Sequence, residues 1–448
     1  MAPTFARVVA RFQADVGLAL SACVIEQLCD DLDHDYRRRL LDPVTTVHAF
    51  LTQVLNGNTA CANLPHLTGR RFSASGYVKA RARLPLDLFE RLFDRVTDGL
   101  HSERQAASRW RGHRTWHLDG SSFSMADRPE LQEAFGQPGN QAKGCGFPVA
   151  HILALFHADT GFLQRIIPSP LRTHDMANAD AMPPELQAGD ILVADRGFAS
   201  FAHLALLLRR NLHAVFRCHQ RQIVNFRPGR HHKTSPNGPK GLPTSRWVKR
   251  LGQHDQLVDY FKPAQKPEWM DQDEYDGLPA TLRVRELRVK IKQAGCRTKT
   301  VTIVTTLLDP ERYPARAIAE LYRRRWGIET NLRHLKTTMK MEVLRCHTVE
   351  GVLKELAMFA LVYNLVRLVM LEAARRQKVL VERISFVDAL RWLRTARPGT
   401  PLPKLVVLPH RPNRHEPRVV KRRPKPYPRM TQPRDQLRKA LLAKKVGA

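Results

Sequence analysis

The sequence predicts an α/β fold: a mixed sheet covered by helices, interrupted by a β-rich insertion and flanked by helical N-terminal and C-terminal regions. Three observations carry this reading. Apolar residues recur at i, i+3 and i+4 through residues 1 to about 108; at Thr115 the period changes to short β-branched or apolar runs; and helical spacing returns at Ala315 after a stretch rich in Pro, Gly, Arg and Lys.

In order along the chain, helical spacing runs through Val8–Leu28, Val44–Leu55 and Leu84–Val96, punctuated by polar breaks such as Asn56-Gly57-Asn58 and Thr68-Gly69-Arg70-Arg71. Strands are expected over His113–Asp119, Phe147–Phe156 and Phe162–Ile167. The segment His157-Ala158-Asp159-Thr160-Gly161 supplies a hairpin turn between the last two, so three consecutive antiparallel strands follow. His174–Met182 is a short helix candidate stopped by Pro183-Pro184. Next come an apolar strand, Ile191–Ala194, helical spacing over Phe198–Arg210, and a buried strand, His213–Cys218. Residues 219–308 hold four more strand-like runs, Arg246–Leu251, Gln256–Phe261, Thr281–Ile291 and Thr300–Leu308, read as an insertion within a core of residues 109–345. Ala315–Lys340 reads as one long basic helix, and Val352–Arg376 and Ser385–Arg394 as helices of a C-terminal region, residues 346–396. Residues 397–448 carry 15 Lys and Arg against only Glu416 and Asp435, together with 10 of the 30 prolines. No core can be built there, so a disordered basic tail is expected, in which Lys421-Arg422-Arg423-Pro424-Lys425 binds polyanions.

The 448 residues suffice for about three domains, and 43% apolar residues suffice for real cores. Against 42 Asp and Glu stand 73 Lys and Arg, a net charge of +31. Such a charge repels itself in a compact chain, and the usual compensation is a polyanion, above all nucleic acid. A small neutral metabolite is disfavoured as substrate. Met1–Arg11 has no charged segment followed by an apolar one, and the longest apolar stretch, Leu356–Leu371, contains Asn364 and Arg367 and is shorter than the roughly 20 residues that span a bilayer. A cytoplasmic protein without a membrane partner is expected. The seven cysteines include no C-x-x-C pair, which fits neither a disulfide framework nor a zinc finger.

Three acids stand out by position. Asp119 closes the first strand in His117-Leu118-Asp119-Gly120-Ser121, and Asp195 closes Ile191-Leu192-Val193-Ala194 ahead of Arg196-Gly197. Ligands of open α/β sheets bind at the carboxyl ends of strands, where two such Asp can share a rim; taken alone, a strand-end Asp is more often a turn or N-cap residue. On the long helix, Tyr322, Arg325, Glu329, Arg333 and Lys336 are offset by 3, 7, 11 and 14 residues, which places them within roughly 80° of one another. One reading of that stripe is a solvated basic face on which Glu329 pairs with Arg325 and Arg333. In the other, Glu329 meets Asp119 and Asp195, and three carboxylates beside a row of cations hold two Mg²⁺ ions for in-line phosphoryl transfer on nucleic acid.

The pattern Tyr322-x₂-Arg325-x₃-Glu329-x₆-Lys336 resembles the Tyr-Arg-Glu-Lys signature of the bacterial DDE transposases grouped in insertion sequence family four. The flanking Leu321–Glu329, Asp119-Gly120-Ser121 and Ile191–Phe198 segments resemble that family too. Separations of 76 and 134 residues between successive acids fit its layout, with a β-rich insertion between the second Asp and the Glu. The resemblance covers roughly residues 37 to 370. It implies a ribonuclease H-like fold and Asp119, Asp195 and Glu329 as catalytic ligands of two Mg²⁺, with Mn²⁺ as substitute. It further implies that Tyr322, Arg325 and Lys336 contact phosphates of the transposon end. Cleavage of double-stranded DNA would then expose a 3′-hydroxyl that forms a hairpin on the opposite strand and, once reopened, joins to target DNA. The residue after Asp119-Gly120 is often Thr in that family and is Ser121 here.

Further expectations attach to this resemblance. Residues 1–108 would recognise the element ends, Arg333 would add a DNA contact, and Arg196 would touch DNA or pair with a carboxylate. A homodimer would act on paired ends, the C-terminal helices being its candidate contact, and would be nucleoid-associated when DNA-bound. Trp247 and Trp269 of the insertion are aromatics that a flipped base could use, although each also fits an edge-strand or core role. His231-His232 reads as a loop pair rather than a metal site, and His117 as a satisfied histidine on the strand face of Asp119. Two alternatives stay open: a metal-dependent DNA nuclease without strand transfer, and a catalytically inactive transposase-derived DNA-binding protein.

Overall fold

The computed structural model describes residues 2–101, 109–171, 186–234, 240–290, 300–405 and 430–446. The N-terminal region is helical: α1 (Ala2–Ala10), α2 (Ala14–Ala19), α3 (Ala22–Asp30), α4 (Pro43–Leu55), α5 (Leu64–Thr68), α6 (Ala74–Arg83) and α7 (Leu86–His101). The apolar spacing of Val8–Leu28 is spread over three of these, because the chain turns at Phe12-Gln13 and again at Leu20-Ser21, where Ser21 accepts the Val24 N–H and starts α3. Asp42 caps α4 in the same way, with Pro43 at its first position. Every residue of α4 is buried, and some of its polar side chains find partners inside: Thr52 donates to the His48 carbonyl, and Gln53 accepts from Tyr77 and donates to Asn58, whereas Thr46 Oγ1 has none among the described residues.

The sheet strands are β1 (Thr115–Ser124), β2 (Val149–His157), β3 (Leu163–Pro170), β4 (Ile191–Ala194), β5 (His213–Arg217), β6 (Arg246–Gly252), β7 (Asp255–Phe261), β8 (Thr281–Lys290) and β9 (Thr300–Thr305). They form one nine-stranded sheet in the order β3-β2-β1-β4-β5-β9-β8-β7-β6. Strand β2 pairs antiparallel with both β1 and β3, β4 and β5 run parallel to β1, and the insertion strands continue the sheet antiparallel from β5. Helices α8 (Pro129–Phe135), α9 (Phe201–Arg209) and α10 (Gln272–Asp276) lie in the connections. The His174–Met182 helix candidate and Lys421–Lys425 lie outside the described residues.

One expectation about β1 is corrected. Asp119 does not end the strand: β2 pairs with β1 all the way to Ser124 opposite Val149, so β1 continues five residues past Asp119. What ends near Asp119 is the parallel pairing with β4, whose last partners are Leu118 and Ala194.

After β9 come α11 (Ala315–Arg324), α12 (Trp326–Arg333), a π-helical turn at His334–Thr338, α13 (Val349–Gln377), α14 (Phe386–Thr395) and α15 (Arg434–Val446). The single helix expected over Ala315–Lys340 is therefore broken. At Arg325 the bonds tighten to i→i−3, Arg325 N–H to the Tyr322 carbonyl and Ile328 N–H to the Arg325 carbonyl, and from His334 the helix widens into the π turn.

Two layers cover the sheet. Trp116, Leu118, Leu192, Ala194 and Phe216 face α9, whereas Ile191, Val193 and Val215 face Ile318, Leu321 and Tyr322 of α11. On that second side, the N-terminal helices, α12 and α13 share one apolar core with β1 and β2. Helix α13 is long and apolar enough to cross a membrane by length and composition, yet 89% of its apolar window is buried in this core. Its polar residues are matched: Asn364 accepts the Leu163 N–H and donates to the Leu163 carbonyl, both at 2.8 Å, and Glu355 accepts from Asn58 and from the backbone of Arg345 and Cys346. The tail also differs from expectation. Leu405 joins the core, and residues 434–446 are helical, anchored where Arg434 lies 3.7 Å from Asp127 and over the Phe147 ring.

Candidate active site

Strand alternation and register assemble the candidate site. In β1, Trp116 and Leu118 point to the α9 side, so His117 and Asp119 point to the opposite side. In β4, Ile191 and Val193 pack under α11, and Asp195, next after Ala194, continues that parity. Because Leu118 pairs with Ala194, the next residues of the two strands, Asp119 and Asp195, stand level on adjacent strands and on the side covered by α11 and α12. Helix α12 is held there by Ile328 and Leu332, whose burial is worth about 1.5–3 kcal/mol each. Arg324 adds an ion pair 3.1 Å from Asp159 in the β2–β3 turn.

The three acids meet around Arg325. Its Nη1 lies 3.6 Å from Asp119, its Nη2 lies 3.3 Å from Glu329, and Asp195 adds to the negative potential it feels. The guanidinium is 8% exposed, whereas Glu329 is 59% exposed. Burial works against the charge of Arg325, but Tyr322 and the three carboxylates together hold its pKa above the ordinary range. Burial pushes the Asp119 carboxyl up to about 6; Arg325 and the Gly120 N–H, which donates to it at 3.0 Å, oppose that rise, and Asp195 and Glu329 add to it. Tyr322 stands under the same guanidinium, and burial raises its phenol to about 12.

Several polar atoms here are buried without a partner: Asp195 Oδ1, Arg325 Nε and His117 Nε2. His117 is thus not the satisfied histidine expected; burial, then Arg325, hold it neutral, with its pKa lowered to about 3. The acids supply only hard oxygen donors, and Asp195 Oδ1 lacks any hydrogen-bond partner, so the chemistry suits a divalent cation such as Mg²⁺. In this arrangement, however, no three His, Cys, Asp or Glu among the described residues are grouped closely enough to hold a metal, because Asp119 and Glu329 are each turned to Arg325. The cage expected from the sequence is therefore not closed.

The other predicted residues divide. Tyr322 and Arg325 are buried at the acids; Arg333 is exposed and Lys336 half-buried, and neither is paired with an acid among the described residues. The single face expected for the five helix residues is changed by the irregularities at Arg325 and His334–Thr338. Arg196 is exposed just past Asp195 and donates to Gln220 at 2.7 Å rather than to a carboxylate. Trp269 stacks on His203 with centroids 4.8 Å apart, Trp247 lies in edge strand β6, and His232 stacks on Phe261. The Arg324–Asp159 anchor was not foreseen: it spans 165 residues and no local pattern signals it.

A family model described as a transposase DDE domain matches residues 110–365. Transposase InsG for insertion sequence element IS4, from Escherichia coli (strain K12), is 25% identical over 374 residues, covering 79% of this chain and 78% of that protein. Among solved structures, a piggyBac transposase synaptic complex with hairpin DNA aligns with a TM-score of 0.43 and 10% identity over 83% of this chain and 75% of that one.

Proposed function

The chain belongs to the transposase DDE domain family, and on that premise we propose that it cuts DNA at the ends of its own mobile element and joins the freed 3′-hydroxyls to target DNA. The observation that carries this is the β1–β4 register, which sets Asp119 beside Asp195 under the helix that brings Glu329. The strand order β3-β2-β1-β4-β5, antiparallel for three strands and then parallel, supports a ribonuclease H-like core.

Asp119, Asp195 and Glu329 would hold two Mg²⁺ ions, replaceable by Mn²⁺. When bound, such ions stabilise the charge that develops on the attacking and leaving oxygens of an in-line displacement. The chain's own residues position the substrate. Arg333 and Lys336, free of acidic partners among the described residues, and exposed Arg196 line the approach and neutralise phosphates, which fixes the duplex without reading sequence. Arg325 and Tyr322 contact the phosphate nearest the acids. Two copies act on paired ends in the cytoplasm, at the nucleoid when DNA-bound. The freed 3′-hydroxyl attacks the opposite strand to form a hairpin, releasing the flanking DNA with its own 3′-hydroxyl, and water reopens the hairpin to restore the 3′-hydroxyl that joins to target DNA. Helices α1–α7 supply end recognition, and the basic tail supplies salt-dependent attraction.

The test uses labelled duplex bearing the sequences that flank the gene, a target plasmid, and Mg²⁺ or EDTA. The expected result is Mg²⁺-dependent cutting, hairpins and joined products. Cutting without joining from pre-cleaved ends would instead indicate a nuclease, and a shifted but uncut duplex a DNA-binding protein.

A further inference from the structure

We propose that Arg325 is the resident counterion of the acid cluster and must withdraw before a divalent cation is held there, so that cation binding and DNA binding are linked through this one side chain. This rests on the reading of Asp119, Asp195 and Glu329 as metal ligands.

The contacts of Arg325 are those of a group fitted to be exchanged. Arg285, a structural arginine in the same protein, uses Nε, Nη1 and Nη2 at 2.8, 2.7 and 2.5 Å on Asp255 and the Tyr313 carbonyl. To the acids Arg325 makes only the longer contacts of 3.6 and 3.3 Å, beside its place over the Tyr322 ring, and its Nε is buried with no partner. Its charge is needed, since three carboxylates would otherwise repel one another in a part-buried site, but its hydrogen bonds are not well made. A divalent cation seeks the same oxygens, and two cations a few ångströms apart oppose each other where water is scarce. Either Arg325 or the cation occupies the space between Asp119 and Glu329.

The backbone permits the exchange. Arg325 sits at the break between α11 and α12, where the bonding is i→i−3, and a Cβ added at Gly327 would meet nothing within 4 Å. Glu329 is mostly exposed and free to turn toward the two aspartates once the guanidinium leaves. A displaced guanidinium needs an anion whose geometry fits its planar fork, and a DNA phosphate is that anion. DNA therefore draws Arg325 out and favours the cation, and the cation favours DNA by the same factor.

The full chain is titrated with Mn²⁺, with and without saturating duplex DNA, by calorimetry and by the paramagnetic resonance signal of free Mn²⁺. Wild type, Arg325→Gln, the charge-keeping Arg325→Lys, and Asp195→Asn are compared after thermal melts confirm folding. Without DNA, Arg325→Gln should bind Mn²⁺ about tenfold tighter than wild type, and Arg325→Lys should match wild type. DNA should raise the wild-type affinity more than that of Arg325→Gln, by the roughly 5- to 150-fold typical of coupled sites. The proposal is overturned if Arg325→Gln binds Mn²⁺ no tighter than wild type without DNA, or if DNA raises both affinities equally while Asp195→Asn still abolishes binding. Binding that is absent throughout, or indifferent to Asp195→Asn, instead refutes the metal-site reading and removes the proposal with it.

Discussion

Replacing Arg285 with Met should be the most damaging single change in the insertion. The side chain is wholly buried on β8, grips Asp255 of β7 through two nitrogens, and donates its third to the carbonyl of Tyr313, just ahead of α11. It thus ties the insertion to the start of α11, which leads into α12 and Glu329. Met keeps an apolar stem but ends short of the guanidinium and leaves the Asp255 carboxylate without a counter-charge, and breaking a buried pair costs about 3–5 kcal/mol. The Tyr313 carbonyl, left without its donor, adds about 1–3 kcal/mol. Urea titration followed by tryptophan fluorescence should show a loss of at least about 3 kcal/mol. The double variant Arg285→Met/Asp255→Asn should recover part of it, because the stranded charge is gone. A single variant within about 1 kcal/mol of wild type, or a double variant less stable than the single, would refute the assignment of this pair as the tie.

Three further outcomes are expected. Asn364→Leu strands both the N–H and the carbonyl of Leu163 and should cost about 2–6 kcal/mol, checked by thermal and urea melts; a loss under about 1 kcal/mol would show that these two bonds do not hold β3 to α13. Gly161 and Gly69 share a left-handed backbone (φ +67° and +65°), but an added Cβ meets the Arg367 guanidinium at Gly161 and nothing at Gly69. Gly69→Ala should therefore cost only the roughly 1–2 kcal/mol of the conformation, and Gly161→Ala clearly more. Burial lowers His48 to about 4 from 6.5, so the neutral ring contributes stability that is complete above about pH 6.5 and is lost as pH falls toward 4. Relative to His48→Gln, wild type should lose about 1.4 kcal/mol per pH unit over that window in urea midpoints; parallel pH profiles would show that the shift is absent.

The order of elements was legible because each rests on local chemistry. Ile191–Ala194 is four apolar residues bounded by acids, and β4 has those bounds. The length of β1 was not legible: Gly120-Ser121-Ser122 reads as a turn, and only pairing with β2 keeps it extended. Nor was the break at Arg325, since nothing in Tyr322-Arg323-Arg324-Arg325-Trp326 opposes an α-helix; it lies where the helix passes from the apolar contacts of Tyr322 under β4 and β5 to those of Ile328 in the other core. The acids could be chosen from the sequence, but their engagement with Arg325 depends on a register between strands 76 residues apart. The helical stretch at residues 434–446 was hidden by the charge and proline content of the segments before it.

The central claim is that Asp119, Asp195 and Glu329 together carry metal-dependent DNA cleavage. Its most direct test compares wild type with Asp119→Asn, Asp195→Asn and Glu329→Gln on labelled duplex bearing the element's flanking sequences in Mg²⁺, with DNA retention measured in parallel. The account predicts 3′-hydroxyl ends from wild type alone, with every variant still retaining the duplex. Cleavage that survives any of the three changes, or that proceeds in EDTA, would contradict it.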